Sequence, residues 1–113
     1  MKIWVWADVT VDGPAPSALE LLTKARQLGD EVAAVALGPG AKASAGALGQ
    51  HGALSVFASD DEVFANHLAQ PAVHALTELI EEHRPDLILF PASYDARDVA
   101  GRLQARTGST LMA

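Results

Sequence analysis

Residues 17–38 read SALELLTKARQLGDEVAAVALG, and this stretch decides the fold. In its first half Ala18, Leu21, Leu22, Ala25 and Leu28 recur at steps of three and four. That spacing stacks them in one apolar stripe along a helix. Ser17 and Glu20 have the Ser-x-x-Glu spacing of a capping box, and Gly29 stands where a helix stops. Residues 32–37 (VAAVAL) then form an unbroken apolar run. A run this short, without the alternation of a half-exposed strand, predicts a strand covered on both faces, as in a parallel sheet.

Working outward, three further blocks resemble that strand: IWVWA at 3–7, LSVFA at 54–58 and LILF at 87–90. Trp4 and Trp6 alternate with Ile3 and Val5, so both indoles lie on one face of the first strand, where they are expected to pack under a helix. Phe57, Phe64 and Phe90 read as core. Between the strands, residues 41–49 predict a short helix loosened by Gly46, and Asp60-Asp61-Glu62 opens a turn carrying Val63 and Phe64. Pro71 suits the first turn of a longer helix lined by Val73, Leu76, Leu79 and Ile80 and ended by residues 83–85. Asp95-Ala96-Arg97-Asp98 opens a last helix carrying Val99, Ala100 and Leu103, which Gly108 closes.

The order βαβαβαβα implies an α/β fold: a parallel-sheet, three-layer α/β/α sandwich with right-handed crossovers, Rossmann-like and adenine nucleotide alpha hydrolase-like. A length of 113 residues suits one domain. Residues 109–113 (STLMA) read as the opening of another strand, so 1–113 is expected to be one domain of a longer chain.

The formal net charge of −6 argues against nucleic acid and anionic membranes as partners. No apolar run approaches the roughly 18 residues that cross a bilayer, so no direct membrane insertion is expected. Asp8 ends the first apolar block too early for a signal peptide, which leaves the cytoplasm as the default location. The absence of cysteine excludes disulfides, thiolate metal sites and cysteine nucleophiles.

In such a sheet, ligands bind at the carboxyl ends of the strands. Residues 8–12, 38–40 and 92–97 converge there, and Gly38, Ser93 and Arg97 are the candidate cofactor contacts. The helix after Ser93 would offer free N–H groups to a phosphate, with Arg97 nearby. Asp95 and Asp98 are equally placed to cap that helix, and Asp98 can pair with Arg102 four residues on. Gly38-Pro39-Gly40 lacks the third glycine of a dinucleotide fingerprint, because position 43 is Ala43; it reads as a turn. Gly46, Gly49 and Gly52 read as close-packing positions and a C-cap. His51, His67, His74 and His83 show no metal-ligand spacing, and His83 suits a helix C-terminus. Ser93 lacks the Gly-x-Ser-x-Gly elbow. With no nucleophile–base pair or metal set, no catalysis is expected of this chain.

Three stretches in order carry a family resemblance: residues 7–38, residues 48–61 (LGQHGALSVFASDD) and residues 84–113 (RPDLILFPASYDARDVAGRLQARTGSTLMA). Together they resemble the N-terminal domain of the electron transfer flavoprotein alpha subunit. The last carries that family's strand, small-residue loop, Arg97-Asp98 helix opening and Arg106-Thr107-Gly108 ending. The resemblance implies an FAD-dependent heterodimer with a beta subunit, carrying electrons between dehydrogenases and the respiratory chain. It also implies that the FAD-binding C-terminal domain lies outside residues 1–113, and that this part is a scaffold contacting the beta subunit. In the family the loop after the fourth strand carries Gly-Ala-Thr-like residues, whereas this chain has Pro91-Ala92-Ser93-Tyr94-Asp95. A second reading is a free-standing adenine-nucleotide-binding module similar to universal stress proteins. Those carry a glycine-rich phosphate loop after strand four, and no such glycines stand here.

Overall fold

Alternation along the first strand splits the molecule into two cores. In a computed structural model describing residues 2–29, 31–65 and 69–107, β1 (Lys2–Trp6) turns Ile3 and Val5 to one face of the sheet, with Ala7 just beyond the strand. Trp4 and Trp6 turn to the other. β4 (Glu31–Leu37) alternates in step, with Val32, Ala34 and Ala36 on the first side and Ala33 and Val35 on the second. Both faces being covered is why the run carries no polar residue.

The first face is closed by α1 (Pro16–Leu28) and α2 (Ala41–Gln50), through Ala18, Leu22, Ala25, Ala41 and Leu48. The second is closed by α3 (Ala69–His83) and α4 (Tyr94–Thr107), through Val73, Leu76, Val99 and Leu103. The expected three-layer α/β/α sandwich is therefore present. Its parallel sheet runs β5-β4-β1-β6, with β5 at Ser55–Ser59 and β6 at Leu87–Leu89. The chain steps outward from β1 through β4 to β5, then returns through α3 to the far side of β1. Reversing the direction of stepping while keeping right-handed crossovers puts α3 on the opposite face from α1 and α2. The switch point lies between β1 and its neighbours, and the carboxyl ends of these strands open there.

Several local expectations change. The Ser17–Glu20 capping box does not form: α1 begins at Pro16, with Ala15 as its N-cap and no side-chain cap bond. Proline's fixed φ starts the helix one residue before Ser17 can act as a cap. Leu28 and Leu54 are half or more exposed, at 50% and 67%, because each lies past the end of its packed stripe or strand. The polar stretch after β1 is a small antiparallel hairpin, β2 (Val9–Thr10) with β3 (Gly13–Pro14), tied by the Thr10 hydroxyl. Two residues per strand leave no periodicity to read, although Asp12-Gly13 is a hairpin signal. A Cβ added at Gly46 or Gly49 would meet no atom within 4 Å, so neither is a close-packing glycine. Gly52 follows the C-cap His51 at φ +124°. His67, Gly108 and the strand expected at 109–113 lie outside the described residues.

The ends of the elements are held by tertiary partners. Lys2 donates from Nζ to the His83 carbonyl (2.7 Å), placing a cation at the C-terminus of α3. His83 itself sits against the rings of Trp4 and Phe57. At the other end of the sheet, the Asp60 carboxylate accepts from the Lys42 backbone N–H (2.9 Å). It caps α2 from 18 residues away, since the N-cap Gly40 has no side chain to do so. Asp60→Ala is expected to lower stability by about 1 kcal/mol, the usual worth of a cap. A shift in the urea midpoint checks it; an unchanged midpoint would show that water replaces this carboxylate without loss.

Candidate functional site

The three loops predicted to converge do meet at the carboxyl ends. They enclose a cleft of about 180 Å³ between β1, β4 and the start of α4, lined among others by Trp6, Asp8, Pro39, Phe64, Ser93 and Asp95. Its floor is the Trp6 indole, which is 7% exposed and stacks on Phe90 with ring centroids 6.1 Å apart. The indole Nε1–H donates to Asp8 Oδ1 at 3.0 Å, which fixes the carboxylate at the mouth. Phe64 reaches the wall from a 3-10 turn, Glu62–Phe64, whose N-cap Asp61 accepts from the Val63 N–H at 3.0 Å.

Ser93 lines this cleft and acts as a cap: its Oγ accepts from the Ala96 N–H (3.3 Å) and its carbonyl accepts from the Arg97 N–H (3.0 Å). Ser93 thus caps α4. Asp95 lies in the first turn, where a negative charge complements the helix dipole, and Asp98 Oδ1 accepts from Arg102 Nε at 2.9 Å, the expected i,i+4 pair.

Gly38 is buried at the end of β4, and its N–H donates to the Ser59 carbonyl at 2.8 Å, so that amide is already committed. Arg97 does not join the other two. It borders a separate groove with Phe90, Pro91, Ala92 and Gln104. The structure therefore brings Ser93 to the cleft, sets Gly38 behind it and turns Arg97 away. The residues that shape the cleft and that sequence reasoning did not assign to it are Trp6 and Phe64, which read as core. Asp8 opens the first of the three predicted loops, directly after a parallel strand.

Electrostatically the cleft is acidic. Among the described residues, two carboxylates line it and no lysine, arginine or histidine does. The helix N-termini beside it are partly satisfied: α2 by Asp60 and by the Gly38 carbonyl, which accepts from Ala41, and α4 by Ser93. At about 180 Å³ it is also below the ~300 Å³ at which pockets begin to enclose drug-sized ligands. Among the described residues no group of His, Asp or Glu is placed to hold a metal ion, and no helix is long and apolar enough to cross a membrane.

Comparison with known proteins fits this architecture. The chain is similar to the electron transfer flavoprotein subunit alpha of Syntrophomonas wolfei, 34% identical over 100 residues, covering 88% of this chain and 32% of that protein. The alpha subunit of Mycobacterium tuberculosis is 37% identical over 94 residues, 82% of this chain and 30% of its own length. That of Clostridium acetobutylicum is 31% identical over 115 residues, 98% of this chain and 34% of its own length. The chain thus spans about a third of the curated relatives it matches. A model of the electron transfer flavoprotein domain matches residues 3–113, and the chain accordingly belongs to the electron transfer flavoprotein family, on its alpha-subunit side.

Proposed function

We propose that this chain is the N-terminal scaffold domain of an electron transfer flavoprotein alpha subunit, one that contacts the beta subunit and leaves flavin binding to another part of the protein. Alpha subunits of this family are electron carriers, and the family binds flavin in its full-length form. The whole assembly, in this reading, passes electrons from dehydrogenases to the respiratory chain through FAD.

The observation that carries the division of labour is the cleft at the switch point. FAD brings a pyrophosphate, and the cleft where the three loops meet is small, lined by Asp8 and Asp95 and, among the described residues, by no basic side chain. The residues present do not fit the cofactor, and no electron-transfer step is assigned to them. The same chemistry speaks against the adenine-nucleotide module, whose phosphates need the N–H groups that Gly38 and Ala96 already commit.

Thermal unfolding of the 113-residue chain with FAD, AMP and ATP in turn tests this. A ligand that binds only the folded state raises the midpoint. None of the three is expected to move it. A rise with AMP or ATP alone would replace the scaffold reading with the nucleotide module, and a rise with FAD would put the flavin site in this domain.

A further inference from the structure

We infer that the outer edge of β5 is a self-pairing surface, along which a second copy of this chain docks antiparallel and continues the sheet. The inference goes beyond the scaffold reading and is independent of where the flavin lies.

The two edges of the sheet differ. An edge strand presents unpaired N–H and C=O groups to any strand that meets it, and proteins blunt such edges with short strands, charges or proline. β6 is blunted: it has three residues, Asp86 stands directly before it and Pro91 follows two residues after it. β5 is not. Its five residues, SVFAS, include neither a charge nor a proline, and Leu54 beside them is 67% exposed. Among the described residues β4 is its one strand partner. The Leu54 N–H donates to the Val32 carbonyl (2.8 Å), on the β4 side. Successive residues of a strand turn their backbone groups to opposite edges, so the amides of Ser55 and Phe57 face outward.

The symmetry of the strand identifies the occupant. Ser55-Val56-Phe57-Ala58-Ser59 reads almost the same in either direction. A two-fold axis at Phe57 sets that residue against Phe57 of the second copy, Ser55 against Ser59, and Val56 against Ala58. In this register the outward backbone groups meet, and the two Phe57 residues exchange both hydrogen bonds. Aromatic pairs and hydroxyl pairs across antiparallel strands are favourable, and an isologous contact closes at two copies. Charge agrees with the same direction of pairing. Asp60, Asp61 and Glu62 follow the strand, whereas exposed Arg26 lies against Gly52 before it, its Nη1 donating to the Gly52 carbonyl at 3.4 Å. Antiparallel docking brings the acidic turn of each copy to the Arg26 end of the other, and such complementary potentials fix register. Docking in the same direction would put the two acidic turns together.

Sedimentation equilibrium of the 113-residue chain over a range of concentrations tests this, together with hydrogen exchange read at single residues. The expected result is a reversible monomer–dimer equilibrium in which the Ser55 and Phe57 amides exchange more slowly as dimer accumulates. Ser55→Lys puts a charge at an exposed edge position. It is expected to weaken the dimer at least about tenfold while leaving the far-ultraviolet circular dichroism unchanged. Glu62→Arg and Arg26→Glu are each expected to weaken it at low salt, and to restore it when combined. A monomer at every concentration overturns the proposal. So does a dimer that Ser55→Lys leaves intact, or one whose Phe57 amide exchanges at the same rate at every concentration, because another surface then holds it. Either result leaves the scaffold reading standing, since no beta subunit takes part in the measurement.

Discussion

Gly40→Ala is expected to cost the domain about 3 kcal/mol or more, the sum of a non-glycine residue in the left-handed region and a forced backbone shift. Gly40 is the N-cap of α2 at φ +88°. A Cβ there would fall 2.0 Å from the Thr10 carbonyl oxygen and 2.6 Å from its carbon. Both are backbone atoms of the hairpin, so no rotamer change relieves the contact. Either the hairpin lifts from α2 or the helix start unwinds, and both disturb the walls of the carboxyl-end cleft. For a domain of this size the loss corresponds to a drop in Tm of more than about 10 °C. Gly46→Ala and Gly49→Ala serve as the contrast. Both lie in the exposed part of α2 with open space at the Cβ position, so each is expected to stabilise by about 0.5–1 kcal/mol. Urea unfolding of the three variants checks the set. A Gly40→Ala midpoint equal to the wild type would mean that the hairpin does not rest on α2.

Trp4→Ala should be comparably severe, at about 3–5 kcal/mol, because it empties the largest fully buried side chain of the second core. Trp4 is 1% exposed, and its ring lies 5.2 Å from that of Phe57 and 6.2 Å from that of His83. It therefore ties β1 to β5 and to the end of α3. The void cannot close cheaply, since the residue directly across in β4 is Ala33, too small to fill it. Trp4→Phe keeps most of the contact and is expected to lose roughly half as much. Far-ultraviolet circular dichroism follows both, and a loss below about 1 kcal/mol for Trp4→Ala would show a core loose enough to collapse around the change.

How far the sequence specifies this molecule follows from what each signal depends on. The helix at residues 16–28 and the apolar strand after it were legible because their periodicities are local: a stripe at three- and four-residue steps has one structural meaning. The βαβ order and the handedness of crossovers then fix the parallel sheet and send ligands to the carboxyl ends, and the convergence of the loops around Asp8, Pro39 and Ser93 follows from topology alone. The shared face of Trp4 and Trp6 came from the pleat, as did the alternation in β4.

Only the tertiary structure decided which groups at that end are used up and which face outward. Asp60 caps α2, Ser93 caps α4, and the Gly38 amide bonds to Ser59. The first and last of these leave no periodic trace, because each depends on where two separate elements come to rest. Ser93 and Arg97 are four residues apart in sequence, yet one lines the cleft and the other borders the groove beside Phe90 and Pro91. Gly40 reads as an ordinary turn residue until the backbone of the hairpin is found against it. Local periodicity and chain order thus determined the fold and the end of the sheet that matters. The chemistry of that end, acidic and aromatic, was set by hydrogen bonds and close contacts formed only when distant segments packed together.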